Sequence, residues 1–174
     1  MQFIHNGVLV DRTDNVLLDK WETPDITGDI EVTKPDFCIF KNTRKALEML
    51  FKHIVLKSKI ALHIDVDVDG IGSGYILTKF LYHHNAINLL HMINKGKAHG
   101  IQDKHVNFVN NNSGVDLIII SDSSCNEINY IKSFNCDVLV IDHHDILHND
   151  LSGKCNDGIH DYVIVNNILE NDEF

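Results

Sequence analysis

From Lys59 onward the chain alternates short apolar runs with stretches of helical periodicity, and that alternation limits the fold more than any other feature. The runs at 60–64, 87–93, 115–121, 137–141 and 162–165 read as strands. Between them, 72–83, 102–110 and 127–134 read as helices, while 65–72 is an acidic, Gly-containing loop and 94–100 a polar connection. Strands apolar on both faces, separated by helices, predict an α/β fold with a parallel sheet covered on both sides. Such sheets carry their chemistry at the carboxyl ends of the strands. Upstream, Ala46, Leu47, Leu50, Phe51 and Ile54 recur at helical spacing across 42–57. Residues 1–40 read as an irregular N-terminal extension. Within it, 7–10 and 15–18 could pair as a hairpin around Asp11-Arg-Thr-Asp14. The expected organisation is an extension over 1–40 and one domain over 41–174.

Composition narrows the function classes. At 174 residues and 44% hydrophobic, the chain can bury the core of about one domain. Its apolar runs fall far short of the roughly 18 residues a membrane span needs, and no signal peptide is visible, so a cytoplasmic location and no membrane partner are expected. The four cysteines form no C-x-x-C pair and read as reduced thiols. A net charge of −10 argues against a protein that coats nucleic acid unspecifically.

The unusual residues fall at three strand ends: His63-Ile-Asp65-Val-Asp67-Val-Asp69-Gly70, then Ser121-Asp122, then Asp142-His143-His144-Asp145. A lone D-x-D is usually a solvated turn, and a lone Asp after a strand is often a helix cap. Six aspartates and three histidines converging on one sheet edge are different. Carboxylates at that density repel one another, so the arrangement calls for cations. Mixed oxygen and imidazole ligands suit Mn²⁺, Zn²⁺ or Fe²⁺ better than Ca²⁺ or Mg²⁺. Two metals about 3.5–4 Å apart are standard apparatus for phosphate ester hydrolysis.

These segments resemble the DHH phosphoesterases. The resemblance rests on His63-x-Asp65-x-Asp67-x-Asp69-Gly70-Ile71-x-Ser73, on Leu117-Ile-Ile-Ile-Ser-Asp122, and on Val138-Leu-Val-Ile-Asp142-His143-His144. Lys97-Ala-His99-Gly100-Ile101 and Val163-Ile-Val-Asn166-Asn167 are similar to further family segments, and the whole covers about 45–167. The H-x-D-x-D-x-D-G form is closest to RecJ-like single-strand exonucleases. The resemblance implies a Rossmann-like parallel-sheet domain lacking the family's second domain. It implies two Mn ions, with Mg, Co or Zn as substitutes. His63 and Asp67 would hold the first, Asp69 and His143 the second, and Asp122 would bridge both and so be catalytic. A hydroxide between the ions would attack phosphorus, and His144 would touch the scissile phosphate. Asp65 and Asp142 would orient ligands, while Ser73 at a helix opening and His99 would bind phosphate. Two divalent ions would bring the net charge to about −6 and concentrate positive charge in the cleft.

The expected function is metal-dependent hydrolysis of single-stranded DNA or short oligonucleotides. The family's further downstream aspartate and second domain have no counterpart in this sequence, so a partner chain or self-association would supply them. The alternatives are a non-catalytic binding module of the same fold, or half of a split phosphoesterase. A dinucleotide binder is disfavoured, since no G-x-G-x-x-G follows the first strand of the alternation.

Overall fold

The structure, a computed structural model, describes residues 2–5, 8–11, 40–94 and 98–168. The elements run β1 (Gln2–His5), β2 (Val8–Asp11), α1 (Thr43–Val55), β3 (Ile60–Ile64), α2 (Val68–His83), β4 (Leu89–Ile93), α3 (Asp103–Phe108), a π turn (Val109–Ser113), β5 (Leu117–Ser121), α4 (Ile128–Lys132), β6 (Asp137–Asp142), β7 (Ser152–Lys154) and β8 (Asp161–Asn166). They build one eight-stranded sheet in the order β2-β1-β4-β3-β5-β6-β8-β7. The six inner strands are parallel, and only β2 and β7, at the two edges, run antiparallel to their neighbours. The α/β class with a parallel sheet therefore stands.

Side chains alternate between the two faces, as the pleat requires. Ile60, Leu62 and Ile64 of β3 pack with Leu117 and Ile119 of β5 beneath α1 and α2. Ala61, Ile118, Ile120, Val138 and Val140 point the other way, toward Val106, Val109, Ile131 and Phe134. Every residue of β3 and β5 is buried because both faces are covered.

Three expectations shift. α2 begins at Val68 rather than Gly72, because Asp67 caps it: its Oδ1 accepts from the Gly70 N–H at 3.1 Å. The acidic stretch is thus half helix, not loop. Of the expected extension, residues 2–5 and 8–11 do not stand apart: β1 pairs with β2 one segment earlier than expected, and β1 extends the sheet beside β4. Residues 15–18 lie outside the described residues. β7 was not foreseen, being only three residues long with little apolar signal.

A buried ion cluster ties α1 to the amino end of the sheet. Asp137 accepts from His53 Nε2 at 2.9 Å, Lys52 Nζ at 2.8 Å and the Asp161 N–H at 2.9 Å. Cys125, Cys136 and Cys155 are free and buried, while Cys38 lies outside the described residues. Among the described residues no helix is long and apolar enough to cross a membrane.

Candidate metal centre

The register decides what meets at the carboxyl edge. Ile64 pairs with Ser121, and Ser121 with Ile141, so Asp65, Asp122 and Asp142 emerge at one level from three adjacent strands. The chain leaves β3 toward β4 on one side and returns as β5 on the other. The crevice between their ends is therefore the topological switch point, where ligands of open α/β sheets bind.

Two glycines let α2 press onto the end of β3. A Cβ at Gly70 would lie 2.7 Å from Asp65 Cβ and 2.9 Å from its carbonyl carbon and oxygen. One at Gly74 would lie 2.7 Å from the Ile64 side chain. This close approach places Asp67 and Asp69, on the opening turn, over the end of β5.

Asp122 sits there with φ 63, a left-handed conformation uncommon for a non-glycine residue. Its amide donates to the Ile141 carbonyl at 2.9 Å. Its Oδ1 meets His143 Nε2 at 3.0 Å, and the same nitrogen lies 3.7 Å from Asp69 Oδ2. Its Oδ2 is buried without a protein hydrogen-bond partner. Burial, then the Asp69 charge, raises the carboxyl of Asp122 above its usual range, and His143 opposes that shift.

Asp142 builds the turn that carries the two histidines. Its Oδ1 accepts from the His143 N–H at 2.7 Å, the His144 N–H at 3.2 Å and His144 Nδ1 at 2.7 Å, while its Oδ2 accepts from the Cys125 N–H at 2.9 Å. Burial pushes Asp142 up, but the His144 bond and the amides outweigh it and its acidity increases. The bond from Asp142 in turn raises His144. Asn166 at the end of β8 donates to the His144 carbonyl at 2.8 Å and steadies the turn from the far side. Across the crevice, Asp65 is buried and accepts from His99 Nδ1 at 2.8 Å, which raises the half-exposed His99.

The expected residues thus gather as three overlapping groups whose ligand atoms lie within 4.8 Å of one another: Asp67, Asp69 and Asp122; Asp122, His143 and His144; Asp65, Asp67 and His99. His63 stands outside all three. It is fully buried, edge-on to His105 at a ring separation of 4.9 Å, with Nδ1 unpartnered. Burial, then His105, holds it down at about 3, so it is neutral. Ser73 lies in the second turn of α2, where its hydroxyl donates to the Gly70 carbonyl at 2.9 Å. The helix opens four residues before the position expected of it, so Ser73 does not stand at a helix start. Two neighbours of the site carried no signal in the sequence. Asn94, at the end of β4, donates to the Gly100 carbonyl at 2.7 Å. Ser123 is buried beside Asp122.

The donor set fits divalent cations. Asp67, Asp69 and Asp122 supply hard oxygens at the meeting point, His143 and His144 supply imidazole, and the orphaned Asp122 Oδ2 is a buried acceptor that a cation would satisfy.

Comparisons with known proteins agree with this geometry. The model of the DHH family, N-terminal domain, matches residues 59–161. The chain is 31% identical over 109 residues to a protein named as a candidate SPbeta prophage-derived single-strand DNA-specific exonuclease, YorK, of Bacillus subtilis (strain 168), and equally to its namesake in Bacillus phage SPbeta. Those matches cover 60% of this chain but 18% of each relative, so the chain spans less than a fifth of their length. Its fold is similar to that of a crystal structure of exonuclease RecJ bound to manganese, with a TM-score of 0.61 and 21% identity over 78% of this chain and 33% of that one. With the strand-end motifs, the sheet and the family match in agreement, the chain belongs to the DHH family, whose N-terminal domain it carries.

Proposed function

We propose that this chain is a metal-dependent phosphodiesterase acting on single-stranded DNA or short oligonucleotides, working with Mn²⁺. One observation carries the reading: Asp67, Asp69, Asp122 and His143 converge on a crevice where a buried carboxylate oxygen has no partner. The names of the YorK relatives and the manganese in the RecJ structure support it. Asp67, Asp69, Asp122 and His143 would hold the ions. His63 is outside those groups, and its buried, unpartnered Nδ1 is the further nitrogen that would join Asp67 on an ion.

Bound divalent cations supply Lewis acidity toward the phosphodiester and make water acidic enough to act as nucleophile near neutral pH. The chain supplies the rest. Asp142 fixes the His144 ring through Nδ1, so Nε2 is the nitrogen left to donate to a phosphoryl oxygen as negative charge develops there. Asp65 holds His99 in the same way on the opposite lip of the crevice. The two imidazoles therefore bracket the substrate position, while the aspartates repel any phosphate that arrives without cations.

The test is digestion of end-labelled single-stranded DNA and of dinucleotides by purified, metal-stripped protein. Mononucleotide release on adding Mn²⁺, its loss on chelation and its absence in Asp122→Asn are expected. Release that persists in excess chelator, or no release from any of these substrates with Mn²⁺ present, would overturn the reading.

A further inference from the structure

Continuous with the metal centre, and sharing Asp65, His99 and His144 with it, is a pocket of about 250 Å³ between the 98–102 loop and the turn after β5. We propose that this pocket receives the sugar of the chain-terminal nucleotide attached to the scissile phosphate and reads its free 3′-hydroxyl group, with Asp65 Oδ1 and Ser123 Oγ as acceptors. The inference rests on the phosphodiesterase reading for the nature of the ligand, and on the pocket's own chemistry for the group bound.

Most of the polar wall is already occupied. Asn126 donates through Nδ2 to the Asp145 carbonyl at 2.7 Å and accepts through Oδ1 from the Leu147 N–H at 2.8 Å. Ser124 Oγ accepts from the Ile101 N–H at 2.8 Å. Both oxygens of Asp142 are taken by amides and by His144. Two atoms remain. Asp65 is 2% exposed and Ser123 5% exposed, and Asp65 Oδ1 and Ser123 Oγ have no partner although both residues line the pocket. Buried polar groups left unpaired are costly and ask for a partner.

The character of that partner follows. Asp65, Asp142 and Glu127 line the pocket with no lysine or arginine, and its two imidazoles, His99 and His144, are already tied to Asp65 and Asp142, so a second phosphate would meet mostly carboxylates. A neutral group rich in hydrogen-bond donors fits instead. The lining has no phenyl or indole face on which a base would stack, and its volume suits one ring-sized group. The position is also right, because His144 belongs both to the pocket and to the metal-side cluster. A phosphate held against Nε2 of His144 therefore leaves its attached sugar at the pocket mouth.

The test uses nucleosides, which carry no phosphate, and so does not depend on metal or turnover. Adenosine and 2′,3′-dideoxyadenosine are titrated into the full chain and followed by NMR. Adenosine should bind about tenfold more tightly, as expected for hydroxyl bonds to a carboxylate, and Ser123→Ala should narrow that ratio while its spectrum stays that of the folded protein. Equal affinity for the two nucleosides, or no saturable binding of either, overturns the proposal. Hydrolysis of oligonucleotides with Mn²⁺ is read separately. Discrimination without hydrolysis would refute the activity and keep the sugar pocket, and hydrolysis without discrimination would do the reverse.

Discussion

Asp122 combines a left-handed backbone with a buried carboxylate that its neighbours disfavour. Two kinds of substitution at this position would therefore report different things. Alanine would remove the ligand but would also strain at φ 63, mixing a folding defect into any loss of function. Asparagine tolerates left-handed backbone and keeps the shape of the side chain. For Asp122→Asn we expect Mn²⁺ affinity, measured by calorimetry on metal-stripped protein, to fall by more than about a hundredfold, since even outer partners of metal ligands commonly cost 10–100-fold. The Tm of the metal-free protein should rise, because the charged form is the one that burial and Asp69 penalise. A lower Tm with unchanged Mn²⁺ binding would contradict both statements. At this scale the sequence was readable where chemistry alone decides: a carboxylate or imidazole after a strand is visible in the letters. It was not readable for Ser123, a common residue whose interest lies only in what surrounds it.

The contact between α2 and β3 sets the reach of Asp67 and Asp69. Gly70→Ala would place a methyl group 2.9 Å from the Asp65 backbone, which cannot retreat without moving the strand end. It should destabilise the fold by about 1–3 kcal/mol in denaturant unfolding and weaken Mn²⁺ binding as the opening turn lifts away from Asp122. Gly72 is the internal control: its Cβ position has nothing within 4 Å, so Gly72→Ala should stabilise the helix by about 0.5–1 kcal/mol. Equal effects at the two positions would mean that close approach is not what holds the turn in place. The same region shows why element boundaries were harder to read than elements. The aspartates of 65–69 look like a solvated loop, yet Asp67 is an N-cap and Asp69 a first-turn anion, both favourable at a helix start. Whether such a run caps a helix or precedes one depends on how the chain must turn to repack on the sheet.

Taken as a whole molecule, the protein should be sensitive to mild acid. His63 and His105 are buried and neutral, held down at about 3 and about 4 chiefly by burial. Above pH 6.5 neither affects stability, since both are neutral in the folded and the unfolded chain. As pH falls below 6.5 the unfolded chain takes up protons that the folded chain refuses. Stability is then lost at up to about 1.4 kcal/mol per pH unit for each histidine, down to about pH 4. Asp137 is held well below the usual carboxylate range, because the His53 and Lys52 bonds outweigh its burial, and its contribution persists until the pH drops below that range. Thermal unfolding of the metal-free protein between pH 7 and pH 5 should show a falling Tm, with a shallower slope in His105→Gln. A Tm independent of pH over that interval would mean that neither ring is buried as described. The letters alone settled the α/β class, five of the six strands beyond Lys59 and the convergence of acids and histidines on one edge. Apolar runs and strand-end polarity are local properties, and burial on both faces leaves them little freedom. Only the tertiary structure decided that His99 joins Asp65 and Asp67 while His63 stays outside the three groups, that β1 and β2 complete the sheet, and that Ser123 faces a pocket. Each of those outcomes depends on strand order, register and the close seating of α2, which are relations between segments far apart in the chain.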